Sequence, residues 1–462
     1  MGITPRIFKA HEYQRIAIDF MLNTPRCALW AGMGLGKTVS SMTVAEILKF
    51  VGYSEPILVL GPMRVARDTW PGEIEKWAHL RHLRIVPMVG ARAVREAALQ
   101  QRADLFSINY DNLPWLVEAL RGKPWPFRTV FADESTRLKG YRTKQGGVRT
   151  QALAEVARHT DRWVNLTGTP SPNGLKDLWG QYWFLDHGDR LVRTYTAFHD
   201  RWFYTDLYTK QVKPHRHAEN EIYERIGDIT LSINPKDWFD LKDPISNVVR
   251  VPLPGNCKAQ YRQLEKEMFT ELTCGHEIEV FNAAALSNKC RQFANGAVYL
   301  QPGSDAWAPV HDAKLDALES VIEEAGGDQL LVSYEFRSDR DRILQRFKSS
   351  ADISTVKGLK AFKDGDVQLG VAHPKSMGHG IDGLQERCNR AVYFGTGWDL
   401  ELHQQILERI GPVRQLQSGF DRPVWVTYIV TDETLDDVIL ERHAGKRSVQ
   451  DLLLEAMSRR NQ

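Results

Sequence analysis

Several kinds of feature are scarce in this 462-residue sequence, and each absence excludes a class of protein. The chain has five cysteines and no Cys-x-x-Cys pair, which argues against a disulfide framework and against a zinc site. No apolar stretch approaches the roughly 20 residues that a membrane-spanning helix needs. Residues 1–6 lack the basic and then apolar pattern of a secretory signal. The sequence therefore predicts a soluble, non-exported protein whose cysteines are buried, reduced thiols.

A strong excess of one charge is also missing from the chain as a whole, although its two halves differ. The 60 basic and 58 acidic residues give a net charge of +2. Residues 1–245 hold 34 lysines and arginines against 27 acidic residues, and the remainder holds 26 against 31. Such asymmetry is a weak indication of a polyanionic partner. On composition alone, the five basic residues of Arg137–Arg149 fit a solvated face and a phosphate-binding surface equally well.

Short aliphatic runs alternate with longer amphipathic stretches in both halves, which is typical of parallel α/β sheets. The runs predicted as strands are 27–30, 57–60, 105–108, 129–132, 163–166, 329–333, 353–356, 367–371, 391–394 and 424–429. The stretches predicted as helices are 38–50, 91–101, 151–158, 314–324, 337–347, 402–410 and 435–457.

A group of four prolines indicates a domain boundary near residue 245, because proline blocks both helix continuation and strand pairing. These prolines are Pro235, Pro244, Pro252 and Pro254. We therefore expect one domain over residues 1–245 and a second over residues 246–462. Residues 187–234 are rich in aromatic and basic side chains, and we expect them to protrude from the first domain without joining either sheet.

The strongest local motif lies between a predicted strand and a predicted helix and reads Ala31-Gly32-Met33-Gly34-Leu35-Gly36-Lys37-Thr38. Its glycines allow a tight turn whose backbone N–H groups point at phosphate oxygens. Lys37 adds a positive charge near the β- and γ-phosphates, and Thr38 offers a hydroxyl to Mg²⁺. Ala31 stands where the usual G-x-x-x-x-G-K-[ST] pattern has its first glycine. With alanine there, the motif resembles the variant found in helicase superfamily two.

Two adjacent acids, Asp133 and Glu134, follow the predicted strand 129–132. An acid at the carboxyl end of a strand beside a phosphate loop can hold Mg²⁺, and a second acid can polarise the attacking water. The order of strand, acid pair and phosphate loop therefore predicts a nucleotide-hydrolysing site in the first half.

Further motifs follow in chain order, and the whole series resembles the Swi/Snf-type branch of helicase superfamily two, especially its compact bacteriophage-encoded members. In the first half these motifs are His11–Gln14, Gly61-Pro62, Ser107–Asp111, Asp133–Thr136 and Leu166–Asn173. In the second half they are Lys314-Leu315, Leu331–Tyr334, Ser376–Asp382, and Trp398 followed by Gln405 and Arg409. The resemblance covers nearly the whole chain.

The resemblance implies an α/β fold of two RecA-like lobes, with parallel sheets, an ATP cleft between the lobes and a nucleic-acid track across them. The residues it implies for nucleotide binding are Gln14 (which would read adenine), Gly32, Met33, Gly34, Leu35, Gly36, Lys37, Thr38, Gly380 and Asp382. The implied catalytic residues are Lys37, Asp133, Glu134, Arg409 and Arg414, with Mg²⁺ held by Thr38 and Asp133. The implied nucleic-acid residues are Arg137, Lys139, Arg142 and Lys144, and also Thr167 and Thr169, which would couple the ATP site to the strand track.

The sequence departs from the family pattern at the sixth motif, which usually reads Gln-x-x-x-Arg-x-x-Arg-x-Gly-Gln. Arg409 stands at the first arginine position and is implied to be the arginine finger, but Pro412 stands at the second. We expect Arg414 to replace the missing arginine. A weakened ATPase is the alternative that Pro412 leaves open.

The aromatic run Trp202-Phe203-Tyr204 has two interpretations. It can stack on bases, since every base has a flat face that an aromatic ring can cover. We expect instead that it packs the core of the protrusion.

Together the motifs predict an ATP-dependent DNA helicase or translocase that couples hydrolysis to movement on DNA, with duplex DNA favoured. A strand-separating helicase on forked DNA or RNA is a second possibility, and an ATP-regulated DNA-binding module with weak turnover is one of another class. We expect ATP and Mg²⁺ as cofactors, DNA as the partner, no membrane association and a monomer. A phage-encoded protein of this kind would work in the host cytoplasm.

Overall fold

The computed structural model describes residues 5–32, 34–143, 147–172, 174–205, 212–274, 287–301, 303–377 and 381–440. Met33, Lys144, Gly380 and most of the helix expected over 435–457 lie outside these residues. The chain divides into two compact units, and the division falls between Asp240 and Leu241. We call the unit that ends at Asp240 the first lobe and the unit that begins at Leu241 the second lobe.

The first lobe is an α/β unit built on a seven-stranded parallel sheet, and a separate two-stranded hairpin lies outside that sheet. Its strands are β1 (Arg26–Ala31), β2 (Ile57–Gly61), β3 (Ile85–Pro87), β4 (Leu105–Asn109), β5 (Thr129–Asp133), β6 (Arg162–Thr167), the hairpin β7 (Phe203–Thr205) and β8 (Val212–Pro214), and β9 (Thr230–Ile233). The strand order in the sheet is β3-β4-β2-β5-β6-β1-β9.

Helices cover both faces of this sheet, as parallel strands require. They are α1 (Glu12–Asn23), α2 (Lys37–Phe50), α3 (Trp70–Lys76), α4 (Arg92–Leu99), α5 (Leu113–Ala119), α6 (Val148–Ala157), α7 (Leu178–Asp186), α8 (Tyr195–Trp202) and α9 (Ala218–Ile226). The central strands read as continuous apolar runs because they are buried on both faces. Trp30, Trp163 and Trp179 lie fully inside the core that results.

The expected protrusion is wrong at its carboxyl end. β9 pairs in parallel with β1 and forms an edge of the first sheet, so residues 230–233 belong to that sheet. The four residues of β9 are buried, and Thr230 is held by hydrogen bonds to the hydroxyl of Tyr182 (2.6 Å) and to the carbonyl of Ile226 (2.7 Å). Trp202 and Phe203 are buried as expected for core packing, whereas Tyr204 is exposed.

The second lobe is built on a six-stranded parallel sheet with the order β10-β17-β16-β13-β15-β14. Its strands are β10 (Ile245–Val251), the antiparallel pair β11 (Ala297–Tyr299) and β12 (Trp307–Pro309), β13 (Leu330–Ser333), β14 (Ser350–Asp352), β15 (Leu369–Ala372), β16 (Arg390–Tyr393) and β17 (Trp425–Thr431). Its helices are α10 (Gly255–Cys274), α11 (287–295), α12 (Ala313–Glu324), α13 (Arg337–Arg346), α14 (Val356–Asp364), α15 (Pro374–Met377), α16 (Leu400–Ile410) and α17 (Pro412–Gln417).

One predicted strand is misplaced. The run 353–356 was expected to be extended, but β14 ends at Asp352 and α14 begins at Val356. The hydroxyl of Thr355 accepts a hydrogen bond from the backbone N–H of Gly358 (3.0 Å), which is the N-cap geometry that starts a helix. Among the residues that the structure describes, no helix has the length and apolar character needed to span a lipid bilayer.

Candidate nucleotide and nucleic-acid site

Three sequence motifs meet at the carboxyl edge of the first sheet. β6 lies between β5 and β1, and the register pairs Asp133 with Leu166 and Trp30 with Thr167. The phosphate loop after β1, the acid pair at the end of β5 and the segment after β6 are therefore neighbours. This edge is where open parallel sheets bind ligands.

The phosphate loop has the backbone that its glycines predict. Gly34 (φ 84°) and Gly36 (φ 76°) adopt left-handed conformations that other residues rarely tolerate. A Cβ atom on Gly36 would lie 2.4 Å from Nε2 of Gln14, so a larger residue there would displace that amide. Lys37 opens α2, and its Nζ donates to the carbonyls of Ala31 (2.7 Å) and Gly32 (3.1 Å). The lysine charge is thus held over the turn.

Gln14 ties α1 to the phosphate loop. Its Oε1 accepts a hydrogen bond from the backbone N–H of His11 (3.0 Å), and its Nε2 donates to the carbonyl of Leu35 (3.2 Å). The side chain is buried. Both ends of the amide are therefore bonded to the protein itself.

Both residues of the acid pair are buried, and Asp133 is held by side chains from other elements. Oδ2 of Asp133 accepts a hydrogen bond from the indole N–H of Trp70 (2.9 Å), and Oδ1 accepts one from the backbone N–H of Glu134 (3.1 Å). The hydroxyl of Tyr110 donates to the Asp133 carbonyl (2.8 Å). Burial, and then the charges of Asp133 and Glu134, raise the pKa of Tyr110 well above its ordinary value, so it remains a donor.

Glu134 has a left-handed backbone (φ 54°, ψ 55°) although it is not glycine. Such a conformation costs on the order of 1–3 kcal/mol and is concentrated at functional sites. The strain fits a residue whose carboxylate must point in one direction.

A chain of neutral hydrogen bonds joins the acid pair to the segment after β6. The hydroxyl of Ser135 donates to Oε1 of Gln181 (2.9 Å), and Nε2 of Gln181 donates to the carbonyl of Pro170 (2.7 Å). Thr167 and Thr169 are both buried, and Oγ1 of Thr167 accepts a hydrogen bond from the backbone N–H of Thr169 (3.0 Å). Their position suits coupling within the protein, and their link to a strand track stays a prediction.

The basic segment after the acid pair contains arginines in different settings. Arg137 is exposed, whereas Lys139 lies 3.9 Å from the carboxylate of Asp177. The guanidinium of Arg142 lies 3.4 Å from the centre of the Tyr195 ring and donates to the carbonyl of Lys139 (3.0 Å). Arg142 therefore anchors this segment on α8, and Arg137 is the more accessible of the two arginines.

In the second lobe, Arg409 is buried within α16 and bonds to backbone carbonyls. Its Nε donates to Met377 (3.0 Å), and its Nη1 donates to Ile381 (3.0 Å). These carbonyls flank residues 378–380. The guanidinium that the resemblance assigns to an arginine finger thus bonds to two backbone carbonyls of the motif Ser376–Asp382.

Arg414 and Asp382, two residues singled out from separate motifs, form an ion pair in the second lobe. Pro412 is the first residue of α17, a position that suits proline because no backbone N–H is needed there. α17 is fixed by Gln415, whose amide donates to the carbonyls of Cys388 and Ile410 (both 2.9 Å). Pro412 therefore begins the helix that presents Arg414 to Asp382.

The family model described as SNF2-related domain matches residues 13–266, more than half of the chain. This protein belongs to the SNF2-related family. It carries the ATPase core of that family, with the motif series distributed over two α/β lobes.

Relatives of this SNF2-related chain include a phage protein that matches it along almost the whole length of both. Protein p41 of Acyrthosiphon pisum secondary endosymbiont phage 1 is 47% identical over 98% of this chain and 100% of its own. The Arabidopsis thaliana protein CHROMATIN REMODELING 5 is 26% identical over 97% of this chain but only 27% of its own length. The SWI2/SNF2 ATPase core of Sulfolobus solfataricus in complex with dsDNA is similar over 99% of this chain and 96% of its own, with 22% identity and a TM-score of 0.43.

Two supporting residues of this SNF2-related site escaped prediction. Gln181 lies in α7, outside every motif, and nothing in the sequence distinguishes it from a surface glutamine. Trp70 lies in α3, and its bond to Asp133 joins residues that are 63 positions apart. Only the fold brings these pairs together.

Proposed function

We propose that this SNF2-related protein is a DNA-dependent ATPase that couples hydrolysis to movement on duplex DNA. The observation that carries the proposal is the shared sheet edge, where the phosphate loop, the acid pair and the segment after β6 meet. The hydrogen-bond chain through Ser135 and Gln181 offers a route by which the acid pair and that segment move together.

The first lobe fits a nucleoside triphosphate. The left-handed glycines turn the loop so that its N–H groups, at the start of α2, face an anion. Lys37 lies above this turn and would exchange its carbonyl partners for phosphate oxygens. Thr38 and Asp133 would hold Mg²⁺, which when bound neutralises charge on the β- and γ-phosphates. Glu134 would orient the attacking water and accept its proton.

The second lobe would supply Arg414. In this proposal Arg409 holds the motif Ser376–Asp382 in place through the carbonyls of Met377 and Ile381. Arg414 pairs with the exposed Asp382, so its guanidinium can be offered to a developing negative charge. Asp382 would hold and orient Arg414, which replaces the arginine that the family pattern has at the position of Pro412.

The DNA partner is supported by charge. Residues 1–245 carry the excess of basic side chains, and Arg137 is exposed two residues beyond Ser135. Neutralising Arg137 should weaken binding almost equally on all DNA sequences and flatten the salt dependence of binding, because phosphate contacts release counterions. We also propose that the chain acts as a monomer in the cytoplasm of a host, in line with its phage relative.

The decisive experiment measures ATP hydrolysis with no polymer, single-stranded DNA, duplex DNA, forked DNA and RNA. The Glu134→Gln variant, which keeps the shape of the side chain, serves as the inactive control. We expect the highest rate with duplex DNA and about a hundredfold lower rate in the variant.

Other outcomes separate the alternatives. Strand displacement from a fork would favour a strand-separating helicase. Stimulation of ATP hydrolysis by RNA would indicate that the helicase also acts on RNA. ATP-sensitive DNA binding with almost no turnover would favour the binding module, for which Pro412 is the specific observation. Equal rates with every polymer would exclude coupling to DNA.

A further inference from the structure

Four aromatic rings form a cluster at the start of α1. Tyr13 is buried at its centre, and the rings of His11 (5.3 Å), Trp238 (5.7 Å) and Phe239 (5.9 Å) surround it, measured between ring centres. His11 and Trp238 are exposed, and Phe239 is half-buried. We call these four residues the Tyr13 ring cluster. No motif of the sequence includes Trp238 or Phe239.

The ring cluster lies directly beside the phosphate loop. Gln14, next to Tyr13 in the chain, donates to the Leu35 carbonyl in that loop, and its other end accepts from the backbone of His11. From the other side, Pro235 lies so close that a Cβ atom on Gly32 would be 3.2 Å from its Cγ. α1 and the turn after β9 thus each bring the rings next to the phosphate loop.

The turn that carries Trp238 and Phe239 is itself well fixed. Oδ1 of Asn234 accepts from the backbone N–H of Lys236 (3.0 Å), and the Pro235 carbonyl accepts from Trp238 (3.2 Å) and Phe239 (3.0 Å). β9 places this turn at the carboxyl edge of the sheet, next to β1. The rings are therefore presented by rigid elements rather than by a loose tail.

We propose that His11, Trp238 and Phe239 form the platform on which the purine base of the nucleotide stacks. The proposal rests on the proposed function and adds the base-binding residues to it. Flat aromatic faces stack on bases and exclude water from them. A base placed there would lie one side chain away from the loop that holds its phosphates, which is the relation a nucleoside triphosphate requires.

Gln14 has a different role in this arrangement. Because both ends of its amide are bonded to protein, it is a positioning residue that fixes the phosphate loop through Leu35. Gln14 should therefore contribute to the binding of a polyphosphate whether or not the ligand carries a base. The rings should matter only when a base is present.

The test measures the binding of ATP and of inorganic tripolyphosphate, which lacks a base, by calorimetry on the full chain, together with KM and kcat for ATP. The variants are Trp238→Ala, Phe239→Ala and their double variant, with Trp238→Phe as the conservative replacement. Phe50→Ala is the matched control, since Phe50 is an exposed aromatic residue (86%) of the same lobe outside the cluster. Thermal unfolding verifies that each variant is folded.

We expect the double variant to weaken ATP binding and raise KM for ATP about tenfold, with kcat and tripolyphosphate binding within about twofold. Trp238→Phe should restore most of the loss, and Phe50→Ala should have no effect. Gln14→Ala should weaken the binding of both ATP and tripolyphosphate.

Unchanged ATP binding in a folded double variant would overturn the platform, and so would an equal loss for tripolyphosphate. If Gln14→Ala lost affinity for ATP but not for tripolyphosphate, Gln14 would be the residue that recognises the base. Because binding is measured without turnover, failure of the wild type to hydrolyse ATP would count against the proposed function and not against the platform.

Discussion

In the first lobe, neutral groups hold the polar residues at the carboxyl edge of the sheet: the indole of Trp70 bonds to Asp133, and the amide of Gln181 bonds to Ser135 and Pro170. In the second lobe, positively charged side chains hold the buried polar groups. Arg409 binds the carbonyls on either side of residues 378–380, and Lys314 is buried in an ion pair. The comparison teaches that the acid pair of the first lobe is held by bonds that add no charge, while the buried cations of the second lobe are costly to leave unpaired.

The largest effect should come from breaking the buried ion pair of the second lobe. Nζ of Lys314 lies 2.6 Å from Oδ2 of Asp436, and both side chains are almost fully buried. Lys314→Met should lower the free energy of unfolding by about 3–5 kcal/mol, because Asp436 is left charged and unpaired. Hydrogen exchange of α12 and β17 along a urea series measures this loss. Lys360→Met, which breaks the exposed pair with Asp364, should cost about 0.5 kcal/mol or less; equal losses would contradict the comparison.

Arg414→Ala should come next. If Arg414 supplies positive charge to the reaction, DNA-stimulated turnover should fall at least about tenfold while the lobe stays folded. Steady-state ATP hydrolysis measures the change. Arg346→Ala, which removes an exposed arginine paired with Asp316 and Glu319 in the same lobe, should leave turnover unchanged. Near-normal turnover in Arg414→Ala would remove Arg414 from the site.

Gln181→Leu tests the neutral chain of the first lobe. Replacing the amide leaves Ser135 and the Pro170 carbonyl without their partner, so the ratio of DNA-stimulated to basal ATP hydrolysis should fall by about two- to tenfold. The basal rate should stay within about twofold. Gln101→Leu, on the exposed surface of the same lobe, provides the control. A basal rate that falls in parallel with the stimulated rate would mean that Gln181 only supports the fold.

The smallest effect concerns the pH dependence of the second lobe. Burial raises the pKa of Asp339 to about 6, against the pull of its hydrogen bonds to Phe336 and Asn295 and of the charges of Lys314 and Arg342. A raised pKa means that the protonated form is favoured in the folded state, so its stabilisation is present below about pH 4 and is lost as pH rises through 6. Asp339→Asn should remove this decline. Chemical denaturation at pH 4, 5 and 6 measures it; an identical slope in the variant would refute the assignment.

Sequence patterns predicted most of the fold because the central strands are apolar on both faces and end in recognisable turns. They failed at β14, where Ile353 and Val356 read as a strand but Thr355 caps a helix. They also failed at β9, a four-residue edge strand whose neighbours are aromatic and basic. Short elements such as these are decided by tertiary contacts that local patterns do not contain.

The candidate site divides in the same way. The phosphate loop, Asp133 and Glu134 could be found because their chemistry requires fixed residue types at fixed spacings. The Tyr13 ring cluster could not, since Tyr13 and Trp238 are far apart in sequence and aromatic residues are common in cores. The partners of Arg409 were hidden for another reason: backbone carbonyls carry no sequence signal.

The turn that holds Trp238 and Phe239 is also the root of the segment that joins the two lobes, because the second lobe begins at Leu241. Packing of the rings on Tyr13 therefore sets the point at which the tether leaves the first lobe. If the rings were released as far back as Asn234, about six residues would detach from the first lobe, an extended length of roughly 20 Å at about 3.3–3.6 Å per residue. The same few side chains thus fix where the chain leaves the first sheet, and a glycine-rich replacement of residues 235–239 would free this segment without altering either sheet.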